Sequence, residues 1–138
     1  MKKLVALFAL ILAVLLLSNT PACAADNTEG EWELASDATV DGVTGPQNYK
    51  TYTLNLNMRG NKFIGRYTGN VAGNAHPNSI FTGETQMMGA KKVVSFQEYD
   101  MDYHVSYVGK EVAPNIYEGT WYSSNAESGS FRLQEKKK

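Results

Sequence analysis

Histidine and carboxylate side chains are the groups most able to do chemistry, and this sequence has two histidines, His76 and His104. Asp100, Asp102 and His104 are spaced two residues apart, so one continuous strand would place these three metal-ligating groups on one face. The opposite face of that strand would hold Tyr99, Met101, Tyr103, Val105 and Tyr107. The Asp-Asp-His face is then the solvated one. We therefore predict no metal site and no cofactor, and we expect His76, beside a proline, to be a surface residue.

Nucleophilic catalysis requires a serine, threonine or cysteine beside a base and a group that orients the base. The sequence lacks the Gly-x-Ser-x-Gly pattern of a nucleophile elbow, and neither histidine has a recognisable triad setting. Glu84, Glu98 and Glu118 alternate with ring-bearing positions, which predicts outward charges rather than a pair of catalytic carboxyl groups. We therefore expect a protein that is not an enzyme and has no catalytic residues.

Aromatic residues are the remaining candidates for a binding role. Seven of them fall on the predicted inward faces of strands: Tyr52, Phe63, Tyr67, Phe81, Tyr103, Tyr107 and Trp121. An eight-stranded barrel is just wide enough either for side chains to fill it or for one small ligand. The large inward residues favour filling. In the alternative, these seven residues line a cavity and bind a small apolar molecule.

The N-terminus has the layout of a secretory signal peptide. Two lysines precede an unbroken apolar run of 14 residues, 4–17, and a short stretch of small and polar residues follows. A membrane-spanning helix requires about 17–25 residues, so this run is too short to be one. The alanines on either side of Cys23 fit cleavage before Ala25. We expect residues 1–24 to be a signal peptide and residues 25–138 to form one domain of a secreted or periplasmic protein.

Cys23 is the only cysteine in the chain, and it leaves a second interpretation of the leader open. As the first residue of a bacterial lipoprotein it would carry a lipid anchor, the only membrane association that we expect. Thr20 stands where such a signal usually has a leucine-like residue, which favours cleavage instead. The mature domain then has no cysteine and no disulfide, so an apolar core has to supply its stability.

The charge balance bears on the class of partner. Removing the two leader lysines from the 13 basic residues leaves 11 against 14 acidic ones, a net charge of −3. This balance favours neither nucleic acid nor an anionic membrane surface. We expect no nucleic-acid partner.

Alternation of apolar and polar residues predicts strands along the mature chain. The clearest are residues 50–58 and 115–123, and Gly60-Asn61 after the first is a two-residue hairpin signal. The other predicted strands are residues 30–34, 62–70, 79–87, 129–135 and two strands within 92–110 that are joined by a hairpin near Asp100. Residues 37–48 and 71–78, rich in glycine, proline, asparagine and aspartate, are predicted to be long loops.

Eight such strands with no helical period predict an all-β fold, an eight-stranded antiparallel up-and-down barrel of meander topology. An open two-sheet sandwich is the alternative. Glycine stands between inward rings in Phe63-x-Gly65-x-Tyr67 and in the segment around Gly119. Because a glycine lets a strand coil sharply and leaves space for neighbouring rings, these pairs favour closure of the barrel.

Two short segments also resemble known families. Residues 119–122 (Gly-Thr-Trp-Tyr) followed by 129–131 (Gly-Ser-Phe) resemble a strand-turn-strand segment of avidin-like proteins, and Gly30-Glu31-Trp32 resembles the Gly-x-Trp of the lipocalin and calycin group. Residues 30–34 are also similar to the start of small secreted inhibitors of bacterial metalloproteases, which are eight-stranded barrels. The resemblance implies a lipocalin-like fold. It does not imply biotin binding, because the later tryptophans of the avidin pocket are missing.

Two functions suit such a barrel. We expect a secreted, non-enzymatic binding protein that holds a small apolar or amphipathic ligand. The alternative is a protein-binding module, such as an inhibitor of an exported hydrolase, for example a protease or lysozyme, that acts through residues 37–48, residues 71–78 or the chain near Ala25. An open cavity among the rings would favour the first, and a filled barrel with an ordered, protruding loop would favour the second.

Overall fold

The computed structural model describes residues 27–37 and 50–138. These residues form eight strands: β1 (Asn27–Ser36), β2 (Lys50–Arg59), β3 (Lys62–Thr68), β4 (Ile80–Met88), β5 (Lys91–Asp100), β6 (Tyr103–Ala113), β7 (Ile116–Ser123) and β8 (Ser128–Glu135). Each strand pairs antiparallel with the next, and β1 also pairs with β8, so the sheet closes in sequence order. The prediction of an all-β meander barrel is confirmed, and the sandwich alternative is wrong.

Two of the predictions fall on residues that the structure does not describe. The expected signal peptide, residues 1–24 with Cys23, and residues 38–48 of the first expected loop lie outside the described residues. In residues 27–37 and 50–138, no helix has the length and apolar character needed to cross a membrane.

The two ends of the barrel are built differently. At one end, here called the turn end, two-residue turns join β2 to β3, β4 to β5 and β6 to β7. Gly60 and Gly89 adopt left-handed φ angles of 64° and 65° in the first two of these turns. The other end, here called the loop end, carries the β3–β4 loop of residues 69–79, a tight β5–β6 turn and the β7–β8 turn. The largest of the connections described here therefore lies at the loop end.

The β5–β6 turn falls at Met101-Asp102, which confirms the predicted hairpin near Asp100. The turn reverses the chain, so the inward and outward positions change phase: Tyr99 is 45% exposed and Met101 99% exposed, whereas Tyr103 packs against the core. Asp100 ends β5 and His104 lies on β6. The three residues considered as metal ligands therefore do not share one strand face.

The interior is filled by alternate residues of all eight strands. The buried apolar core consists of Trp32, Leu34, Leu54, Leu56, Phe63, Phe81, Val94, Phe96, Val105, Tyr107, Tyr117, Trp121, Phe131 and Leu133. Burying one such side chain contributes about 1.5–3 kcal/mol. At its centre the ring of Phe96 stacks on that of Tyr107 at 4.3 Å between centroids, and Phe131 meets both rings edge-on. This core holds the barrel without a disulfide among the described residues.

Glycine makes room for these rings where strands approach closely. Gly109 of β6 and Gly119 of β7 are register partners. A Cβ atom on Gly119 would overlap the carbonyl oxygen of Val108 and the Cα of Gly109, and one on Gly109 would lie 2.8 Å from Cζ of Phe131. Gly83 leaves similar space beside the ring of Phe63. The strands therefore need glycine at these positions because neither the backbone nor a ring can move aside.

Replacing Gly119 by alanine should destabilise the barrel by about 3 kcal/mol, since the new methyl group meets backbone atoms that cannot relax. Gly30→Ala is the matched control: its Cβ would lie 3.4 Å from Nε1 of Trp32 and its backbone is extended, so the change should stay within about 0.5 kcal/mol. Urea unfolding followed by tryptophan fluorescence measures both. Equal stability of the two variants would contradict the packing argument.

Candidate ligand-binding cavity

A cavity of about 720 Å³ opens at the loop end of the barrel. Five of the seven residues predicted from the sequence line it: Tyr52, Tyr67, Tyr103, Tyr107 and Trp121. Phe63 and Phe81 do not line it; they are 7% and 0% exposed and pack within the core. Phe63 and Phe81 therefore belong to the filled core, and the other five aromatic residues lie around the cavity.

Glu98 of β5 lies on the cavity wall and is only 3% exposed. The hydroxyl of Tyr67 donates a hydrogen bond to its Oε1 atom and the hydroxyl of Tyr107 donates one to its Oε2 atom, both at 2.8 Å. These two tyrosines approach from β3 and β6, on the same inward face. The cavity therefore contains a buried carboxylate held between two phenols.

The sequence-based prediction that Glu98 points outward is wrong. The inward residues of β5 are Val94, Phe96 and Glu98, because alternate residues of a strand share a face. Phe96 lies two residues before Glu98, so a strand with Phe96 facing inward also has Glu98 facing inward. The sequence could therefore have predicted the buried position of this carboxylate from Phe96. For Glu118 the outward prediction is confirmed: it is exposed and forms a 2.7 Å ion pair with Arg132.

The tyrosines around Glu98 are held in their protonated form. Burial raises the pKa of Tyr67 and of Tyr107 well above the ordinary value of 10.0, and the negative charge of Glu98 raises both further. Burial and Glu98 also raise the pKa of Tyr52 and of Tyr103. Tyr67 and Tyr107 are therefore the hydrogen-bond donors, and the oxygens of Glu98 are the acceptors.

The β3–β4 loop, residues 69–79, forms one side of the cavity and is called the mouth loop below. Nδ1 of His76 lies 3.1 Å from Oδ2 of Asp100, and the imidazole stacks on the ring of Tyr103 with 3.8 Å between centroids. The carbonyl of His76 accepts a 2.9 Å bond from Oγ of the fully buried Ser79. His76 is thus a half-buried residue of the cavity wall rather than the plain surface histidine that we expected.

The rim opposite the mouth loop is fixed through the end of β1. Nε1 of Trp121 donates a 2.8 Å hydrogen bond to the carbonyl oxygen of Asp37. The Asp37 carboxylate accepts bonds of 2.7 Å from both the backbone N and Oγ of Ser130. A Cβ atom on Gly129 would overlap the Asp37 carbonyl, so this close approach also requires glycine. Trp121 is therefore held in one orientation on the cavity wall.

The ionisable groups that line the cavity are mostly acidic. Among the described residues they include the carboxyl groups of Asp37, Glu98 and Glu127, against the ammonium of Lys50 and the imidazole of His76. Lys50 reaches across the rim, where Nζ donates a 3.4 Å hydrogen bond to the carbonyl of Gly73. Within residues 27–37 and 50–138, no three or more His, Cys, Asp or Glu side chains are grouped to hold a metal ion.

No family model matches this sequence, and no curated protein or solved structure matches it either. The fold and the cavity themselves define a class: a closed, eight-stranded antiparallel meander barrel, consistent at a coarse level with a calycin-like fold, with a cavity at one end. The function is therefore argued below from the geometry of the described residues.

Tyr107→Phe should lower the free energy of unfolding by about 1–3 kcal/mol, because it removes one hydrogen bond from a buried carboxylate oxygen. Tyr122→Phe is the matched control, since Tyr122 is 58% exposed on the outer face and should change stability by no more than about 0.5 kcal/mol. Chemical unfolding of both variants makes the comparison. A Tyr107→Phe protein as stable as Tyr122→Phe would show that the carboxylate does not depend on this donor.

The free energy of unfolding should fall as the pH rises above about 10, the pKa of a tyrosine in the unfolded chain. Above that pH the unfolded chain loses phenol protons that Tyr67 and Tyr107 retain in the barrel, because their folded-state pKa values are raised. Ionisation therefore favours the unfolded state. Thermal unfolding between neutral and strongly alkaline pH measures the loss. Phenolate absorbance should show Tyr67 and Tyr107 ionising only as the barrel unfolds. Ionisation of these two buried phenols without unfolding would contradict the assignment.

Proposed function

We propose that this protein is a secreted, non-enzymatic binding protein that holds a small amphipathic molecule in the loop end of its barrel. The observation that carries this proposal is the cavity of about 720 Å³, with aromatic rings and a buried carboxylate on one continuous wall. Protein sites for small molecules typically measure about 300–1,000 Å³ and combine apolar walls with a few polar groups. The cavity has both properties.

Most of the aromatic residues that line the cavity belong to strands, which are rigid elements. Tyr52, Tyr67, Tyr107 and Trp121 all belong to strands of a closed sheet, and their rings are packed against neighbours or hydrogen-bonded. Sites built on strands keep their geometry better than sites built on loops, and a preorganised site loses less entropy on binding. These residues therefore suit recognition of one defined ligand shape, with ring faces for its apolar body and Glu98 for its polar end.

The alternative function, inhibition of an exported hydrolase, receives less support. An inhibitor of that kind needs a filled barrel and a loop that protrudes towards the enzyme. The mouth loop packs instead on Tyr103 and Asp100 through His76, and it forms part of the cavity wall. The cavity among the rings is the feature that we expected of a ligand carrier.

Export and a lipocalin-like relationship complete the proposal. The leader pattern of residues 1–24 supports a secreted or periplasmic location, with a membrane anchor only if Cys23 is lipidated. The Gly30-Glu31-Trp32 segment, which resembles the Gly-x-Trp of lipocalins, lies on β1, where Trp32 is buried and its ring lies 6.4 Å from that of Tyr117. This placement supports a lipocalin-like carrier.

Native mass spectrometry of the mature protein, purified from its own secretory compartment, should show a co-purifying small molecule. Ala75→Trp, at the cavity mouth, should reduce its occupancy at least fivefold by obstructing the opening. Ala72→Trp is the control, since it adds the same side chain to an exposed position of the mouth loop that does not line the cavity.

A second polypeptide in place of a small molecule would support the inhibitor alternative instead. Bare protein in every preparation would overturn the carrier proposal. The intact mass also distinguishes cleavage before Ala25 from lipidation at Cys23.

A further inference from the structure

We infer that the ligand is cationic: a protonated amine on an apolar or aromatic body, with its ammonium group bound to Glu98. This inference rests on the proposed function and adds the chemical class of the ligand. Four features of the cavity lead to it: the burial of Glu98, its unused acceptor capacity, the rings beside it and the charge of the wall.

Glu98 is a buried carboxylate without a basic partner among the described residues. It is 3% exposed, and none of the ion pairs formed in residues 27–37 and 50–138 includes it. Its hydrogen-bond donors, the phenols of Tyr67 and Tyr107, carry no positive charge. Buried charges in proteins are normally paired or bound to a cation, because burial in a low dielectric is costly. A cationic ligand would supply the missing counter-charge.

The carboxylate also has acceptor capacity left. Its two oxygens together can accept about four hydrogen bonds, and each receives one from a tyrosine. The two tyrosines keep the carboxylate in place, and burial and the charge of Glu98 keep their pKa values high, so both remain donors. An ammonium group has N–H donors for the remaining positions, whereas the carboxylate group of an anionic ligand would be repelled and has no hydrogen to donate.

The rings around Glu98 suit a cation as well as an apolar body. Tyr67 and Tyr107 flank the carboxylate, and Trp121, Tyr103 and Tyr52 line the same cavity. A cation over the face of a tyrosine or tryptophan ring is attracted by the electrons of the ring, and the attraction is stronger where water is excluded. The same rings give an apolar body contact area, so one ligand can use both properties.

The acidic charge of the cavity wall also favours a cationic ligand. Asp37 and Glu127 add two carboxyl groups to that of Glu98, and Lys50 is the one lysine or arginine among the described lining residues. Lys50 is directed to the rim, where it bonds the carbonyl of Gly73. A cleft lined by one sign of charge raises the local concentration of oppositely charged ligands.

Three probes of similar size test the inference on the mature protein: protonated phenethylamine, neutral 2-phenylethanol and anionic 3-phenylpropionate. Titration calorimetry at neutral pH should show that the amine binds at least tenfold more tightly than the alcohol and that the propionate binds most weakly. Glu98→Gln should remove at least nine-tenths of the amine's advantage and leave the affinity for the alcohol within about twofold. Glu84→Gln, the same change on the outer face of β4, should leave all three affinities unchanged.

Lys50→Gln is a second variant, at an exposed position where folding is not at risk. Removal of its positive charge from the rim should strengthen amine binding about twofold to threefold and leave the alcohol unaffected. Amine and alcohol binding equally, or the propionate binding best, would overturn the cationic ligand while leaving a small-molecule carrier intact. Failure of all three probes to bind would overturn the inference, and bare protein in native mass spectrometry would then remove the carrier proposal as well.

Discussion

The hydrogen bonds between β1 and β8 convert a ribbon of eight strands into a closed barrel, and the other features depend on that closure. A closed sheet has no free edge, but its strands have to coil around a narrow interior. Gly109 and Gly119 are register partners, and they allow β6 and β7 to approach each other where a side chain would overlap backbone atoms. Asp37 adds a polar link near the seam, through the backbone and hydroxyl of Ser130. Closure is thus maintained by both packing and hydrogen bonding, without a covalent cross-link among the described residues.

Closure also explains how the barrel tolerates a carboxylate inside. In the centre of the barrel, rings such as Phe96 and Phe131 meet face to edge and occupy the interior. Towards the loop end, two inward tyrosines, Tyr67 and Tyr107, donate their hydroxyl hydrogens to Glu98. A buried charge is costly unless it is hydrogen-bonded, and two phenols from separate strands meet part of that cost. The polar site is therefore part of the interior packing and is not an addition to the surface.

Much of the fold could be predicted from the sequence, because alternation with period two and short turn signals are local properties. The strands around Tyr52 and Trp121, the Gly60-Asn61 turn and the hairpin near Asp100 were all predicted in this way. The site was predicted less completely. The orientation of Glu98 depends on the phase of β5, and the ring of Tyr99, which turned out to be exposed, suggested the opposite phase. The half-buried position of His76 depends on how a loop folds back on Tyr103, for which a single sequence has no periodic signal.

The contrast between the two ends of the barrel has a consequence for how the protein can change. At the turn end, hairpins of two residues fix the register of each strand pair, so an insertion there would disturb the whole sheet. At the loop end the mouth loop is longer, and it can gain or lose residues while the strands stay in place. Evolution or protein engineering could therefore replace this loop and change the ligand specificity of the cavity while the barrel stays the same.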